Sequence, residues 1–260
     1  MNARVFEFTL RRRLRATALA SVSLVAVIVL EGALYPSLGE SLGKVDLGSG
    51  VSGLIGGGDF STLTGWFSTE VFSIYGPAFL IGLAITGIVG ASASEEEDGI
   101  LGLVLSLPLR RDSVLLSKWA AVAVTVVLLG IATWAGLIVG VAVAGGGIGA
   151  GLLAAQMLHM VMLGLVFGGL AFAVGCATGK RSLSFAVSVG LAVTSYLLDG
   201  LAPVSSATDW AQKLSPFYYY YGSDPVTGGV DIAHLAVLLG LAIVLTVVGV
   251  IGIRDRDLRG

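Results

Sequence analysis

A chain of 260 residues that is 55% hydrophobic and only 12% charged does not have the composition of a soluble domain, where about 45–50% of residues are apolar and about 25% charged. Its mean hydropathy of +0.93 makes lipid the solvent it fits. The formal charge of −2 excludes the basic surplus that nucleic-acid binding calls for, and one cysteine, Cys176, excludes an internal disulfide or a cysteine-rich metal site and reads as packing.

At the N-terminus Phe6, Leu10 and Leu14 repeat every fourth residue beside a charged stripe of Glu7, Arg11 and Arg15. That pattern predicts an amphipathic helix over 1–15 lying along the membrane surface, with a Glu7–Arg11 pair in the favourable helical order. The alternative is a basic topology anchor. The first apolar run, 16–35, is too long for a signal sequence and lacks a small-x-small cleavage site, so it is expected to be retained. Further runs at 66–93, 114–144, 151–177, 183–201 and 232–253 bring the expected spans to six, each near the roughly 20 apolar residues a crossing needs. They form one domain, 1–260, that leaves no length for a soluble nucleotide-hydrolysing domain. Thirty-eight glycines fit this reading, because membrane helices use them to bring backbones together.

Six spans put both termini on one side. With them fall Arg4, Arg11, Arg12, Arg13, Arg15, Arg110, Arg111, Lys118, Lys180, Arg181, Arg254, Arg256 and Arg259, leaving only Lys44 and Lys213 of the 15 basic residues opposite. Lys and Arg concentrate on the cytoplasmic side, so both termini are expected there.

The connection at 94–113, between spans 2 and 3, reads S-EEEDGILGLVLSLPLRRDSVLLSK through Lys118. Ser94 and Glu97 have capping-box spacing, and Glu95, Glu96 and Asp98 suit the positive pole of a helix N-terminus. A helix is therefore expected to start at Ser94, continue through Leu101, Leu103, Val104, Leu105 and Leu107, and stop at Pro108, with Arg110 and Arg111 beyond it. Too short to cross a bilayer, it is expected on the cytoplasmic side, where it would pass motion from a docked partner to two spans. The plainer alternative is a solvated charged loop.

This segment resembles the cytoplasmic loop of type-2 ATP-binding cassette (ABC) permeases at Glu95, Glu96, Glu97, Gly99, Leu101, Leu105, Ser106, Pro108, Arg111 and Lys118, and departs from it at Ile100 and Arg110, where Thr and Ser are usual. The stretch SPFYYYYGSDPVTGG at 215–229 and the closing RDRDLRG are also similar to members of that family. The resemblance implies a six-span permease subunit, two per transporter, whose coupling helix sits in a groove of a separate ATPase subunit. It makes Glu95, Glu96, Glu97, Gly99, Leu101, Leu105, Pro108, Arg111 and Lys118 an expected ATPase-coupling interface. The homodimer and heterodimer alternatives both stand.

ATP hydrolysis by the chain itself is not expected. The run 175–180 has one residue too few between its glycines for a phosphate-binding loop, and the glycines at 48–58 precede no Lys-Ser or Lys-Thr. ATP and Mg are thus expected in the partner, and this chain needs no cofactor. The polar residues at membrane depth, Gln156 and His159 with Glu31 and Asp199 at span ends, match no protease or hydrolase pattern, so an enzyme is not expected. Gln156 and His159 share a face of span 4, either lining a substrate path or hydrogen bonding between helices. His234 stands at a span mouth as an interfacial residue.

Pairs spaced by four, Gly136 and Gly140, Gly164 and Gly168, Ala186 and Gly190, Ala236 and Gly240, predict packing seams. Trp210, Phe217 and Tyr218 to Tyr221 are expected at the outer interface. Two functions emerge: an ABC exporter permease for an amphipathic or lipid-like substrate, and an ATP-independent carrier or membrane scaffold.

Overall fold

The computed structural model of the chain describes residues 1–44, 59–99, 109–201 and 209–254. All regular structure among them is helical, and six helices are long and apolar enough to cross a membrane, one at each expected span. The N-terminal helix α1 runs Ala3–Leu42. Span 2 is assembled from α2 (Leu63–Phe67), a π-helix (Ser68–Tyr75) and α3 (Gly76–Ala91), and the short α4 (Ala93–Glu97) follows it. Helices α5 (Arg111–Val143), α6 (Ala150–Thr178) and α7 (Arg181–Leu201) supply spans 3 to 5. After the small helices α8 (Asp209–Gln212), α9 (Pro216–Tyr221) and α10 (Pro225–Gly228), α11 (Ile232–Arg254) is span 6.

The N-terminal segment and span 1 form one helix. Asn2 caps α1 by accepting from the N–H groups of Arg4 and Val5, and the helix continues unbroken for 40 residues, about 60 Å at 1.5 Å per residue. Its inward stripe is Val5, Thr9, Arg13, Thr17, Leu24 and Ile28, while Leu14 of the apolar stripe stays exposed. This stripe follows α5 in the same direction: the Asn2 N–H donates to Ser117 Oγ at 2.7 Å, while Val25 and Ile28 lie against Gly136 and Gly140. A neighbouring helix that runs the full distance holds the amphipathic segment in line with its span, and it covers polar groups such as Thr9 and Thr17 on the inward face.

Helix α6 is the axis of the bundle. It touches α3, α5, α7 and α11, and 72% of its most apolar stretch is buried against 22% for α1, α7 and α11. Two of the four expected seams form, one between α5 and α1 and one on α6. A Cβ on Gly32 would stand 2.2 Å from the Gly140 carbonyl oxygen, and one on Gly168 would stand 2.7 Å from Trp119. Within this chain the other two seams are uncovered: Gly190 and Gly240 face open space, and α11 meets α6 through Gly249 and Gly252, against Phe172 and Ala177. Trp119 stacks on Phe172 at 6.0 Å and donates its Nε1–H to Thr246 Oγ1 at 3.0 Å, pinning α5, α6 and α11 together. Cys176 is buried in the core. The turn from α5 to α6 takes Gly145, Gly146 and Gly147 through φ values of 105°, 82° and 125°, which side chains strongly disfavour.

Candidate functional site

Two regions gather chemistry, one at each end of the bundle. At the end shared by the starts of α1, α5 and α7, the acidic run 95–97 folds inward. Ser92 interrupts span 2 with φ −125° and ψ −85°, and its hydroxyl donates to the Ile88 carbonyl at 2.6 Å. Helix α4 then starts at Ala93, and the Asp98 N–H donates to the Ser94 carbonyl at 3.0 Å. Ser94 is therefore inside a turn and not the cap of a new helix. The expected capping box is absent because the helical turn begins before Ser94, so the N–H groups that a cap would satisfy lie elsewhere. Gly99 closes the turn at φ 71°.

Glu95 is the hub of this turn. One carboxylate oxygen accepts from Lys118 Nζ and the other from Arg12 at 3.2 Å, so three helices meet on one side chain. Lys118 has only 5% of its side chain exposed and Glu95 13%, so the pair is held where water screens it little. Glu97 reaches a fourth helix: its Oε1 accepts the Arg181 backbone N–H at 2.8 Å and caps the start of α7, where a helix leaves N–H groups unpaired. Glu96 is buried as well. Arg111 is the first residue of α5, and Arg110 beside it pairs with Asp112 at 3.0 Å. Of the expected coupling residues, Glu95, Glu96, Glu97, Gly99, Arg111 and Lys118 are brought to one end of the bundle. Leu101, Leu105 and Pro108 lie outside the described residues.

The opposite end carries a feature the sequence did not announce. A π-helix of eight residues is long for its class, and such insertions concentrate at functional sites. Its widened turns free carbonyl groups, and α9 supplies their donors: Tyr220 donates its hydroxyl to Phe72 O at 2.7 Å and Tyr221 to Ser68 O at 3.0 Å. Tyr220 and Phe217 are therefore buried in the core, whereas Trp210 stays 67% exposed. Burial pushes the Tyr220 and Tyr221 hydroxyls up from their usual acidity, so both remain donors at any physiological pH.

Beneath this polar knot, a groove of about 430 Å³ opens between α3 and α7. Ile81, Ile85, Val189, Ala192 and Phe217 line it, and Ser73 and Tyr196 add two hydroxyls near its head. That volume lies within the roughly 300–1,000 Å³ of sites for drug-sized ligands, and its makeup, apolar with a few polar groups, is theirs too. Gln156 and His159 are not part of this groove. Both are buried in α6, and the His159 Nδ1 lies 3.0 Å from the Ala155 carbonyl. Gln156 Nε2 and His159 Nε2 have no hydrogen-bond partner among the described residues. The groove had one faint sequence signal, the Gly76-Pro77 step within an apolar run; its other wall comes from a span more than 100 residues later.

The family model described as "Multidrug efflux system permease Rv1217c, C-terminal domain" matches residues 4–254. No curated protein matches the chain.

Proposed function

Because the chain belongs to this multidrug efflux permease family over nearly its whole length, and is thus a multi-pass membrane permease for efflux, we propose that it is the transmembrane subunit of a type-2 ABC exporter. In this reading a separate ATPase subunit binds ATP and Mg, and this chain catalyses no chemistry. The ATPase docks on the connection between spans 2 and 3, both chain termini face the cytoplasm of a prokaryotic cell, and a second permease subunit completes the transporter.

The observation that carries the reading is the inward fold of 95–97. Through Glu95 and Glu97 this short turn is tied to α1, α5 and α7, and it continues directly from span 2. A push on the adjoining connection then reaches four spans together, which is what a coupling element has to do. The cargo is an amphipathic organic molecule, for which the apolar groove between α3 and α7 offers area along its length and hydroxyl groups at one end.

Leu101→Asp together with Leu105→Asp tests the docking. These substitutions change neither Glu95 nor Glu97, and the variant is expected to keep its thermal stability, lose co-purification with the partner ATPase, and lose export. Unchanged co-purification and export would defeat the proposal, as would transport by the purified chain in vesicles without nucleotide.

A further inference from the structure

Between α1 and the last turn of α3 lies a second cavity, of about 210 Å³, that neither the groove nor the inward fold of the acidic run accounts for. Thr9, Arg12, Arg13, Gly90 and Glu95 line it, with Phe8 at its rim. It is below the roughly 300 Å³ at which drug-sized sites begin, so it suits a headgroup and not a whole substrate.

Its charge is unbalanced. Arg12 and Arg13 line the cavity, while Glu95 is the one carboxylate among the lining residues. Both Glu95 oxygens are engaged, one with Arg12 and one with Lys118. Among the described residues Arg13 donates to the Thr86 carbonyl at 3.3 Å, a single bond for a group with five N–H donors. Its seat on α3 is built of glycine: a Cβ on Gly87 or on Gly90 would stand 3.1 Å from an Arg13 nitrogen. Two guanidinium groups at the mouth of a small cavity match the forked geometry of a phosphate. Phe8, one turn before Arg12, lines the cavity and is 67% exposed, and its outward face is where acyl chains attached to that phosphate would lie.

We propose that this cavity holds the phosphate of an anionic glycerophospholipid from the leaflet on the N-terminal side of the bundle, with Arg12 and Arg13 as its ligands. The bound anion offsets the local cationic surplus and joins α1 to α3. The proposal is independent of the cargo and of any ATPase.

The purified full-length protein in neutral detergent provides the test, by thermal unfolding with added phosphatidylglycerol, phosphatidylcholine or sodium phosphate. Phosphatidylglycerol is expected to raise the midpoint above phosphatidylcholine, and sodium phosphate at matched concentration to give little of that shift. Arg13→Gln should at least halve the difference between the two lipids while leaving the phosphatidylcholine value in place. If Arg13→Gln does not fold, Arg12→Gln, whose side chain is 64% exposed, should likewise at least halve the difference between the two lipids, each measured against its own phosphatidylcholine value. Equal stabilisation by both lipids, or an undiminished difference in the variant, overturns the proposal. A sodium phosphate shift as large as that of phosphatidylglycerol overturns the lipid assignment.

Discussion

Lys118 is nearly out of reach of water, and its ammonium is tolerated there because Glu95 faces it. Removing one member of such a pair costs about 3–5 kcal/mol, since the other charge is left buried without a counterion, whereas exchanging both for apolar groups is often close to neutral. Glu95→Gln is therefore expected to lower the unfolding free energy by about 3 kcal/mol, and Glu95→Leu with Lys118→Met to recover most of it. Denaturation of the purified variants measures both. Asp231 shows the same dependence on position at the head of α11: the His234 backbone N–H donates to its carboxylate at 3.0 Å and holds its pKa below the ordinary 3.8. A carboxyl lowered by folding contributes stability above its ordinary pKa, and that contribution is lost as the pH falls through the lowered value. The wild-type unfolding midpoint is thus expected to drop more between about pH 5 and about pH 3 than that of Asp231→Asn, which caps without titrating; parallel curves would refute this. Sequence reading found Glu95 and Lys118 as members of one stretch, but not Arg12, because 83 residues of chain separate it from Glu95.

Between α1 and α5, backbone meets backbone. At Gly32 the obstacle to a side chain is the Gly140 backbone, which cannot rotate aside as a side chain would. Gly32→Ala is expected to destabilise by roughly 1–3 kcal/mol. Gly240→Ala, with nothing within 4 Å of its added Cβ, should stay within about 0.5 kcal/mol of the wild type. A thermal series on the two variants checks the contrast, and equal effects would mean that small residues here act through helix propensity and not contact. In the sequence Gly240 has the small neighbour Ala236 four residues before it, whereas Gly32 has Ile28 and Pro36 at that distance on either side. The glycine without a seam pattern is nevertheless the covered one, because spacing marks which helix face is small and only the neighbouring helix decides whether that face is covered. The π-helix illustrates the same limit. Residues 68–75 were legible as part of a span, yet the extra residue per turn depends on donors from Tyr220 and Tyr221, about 150 residues away.

For the molecule as a whole, the family match and the six spans establish a membrane permease for efflux, and the groove between α3 and α7 is where the proposed cargo would be met. Ala192→Trp places an indole in that groove and is expected to reduce efflux of an amphipathic dye several-fold while leaving thermal stability near the wild-type value. Undiminished efflux by a folded variant would remove the groove from the transport path.

Local runs of hydrophobicity and charge were enough to assign the solvent, the number of spans and the stretch of chain that holds the acidic residues and Lys118. Packing between distant segments decided that α1 stays in line with its span beside α5, that Glu95 and Glu97 turn inward to Arg12, Lys118 and the head of α7, and that a groove forms under the π-helix. Each of these joins surfaces far apart in the chain, and their energy comes from partners that no local pattern encodes.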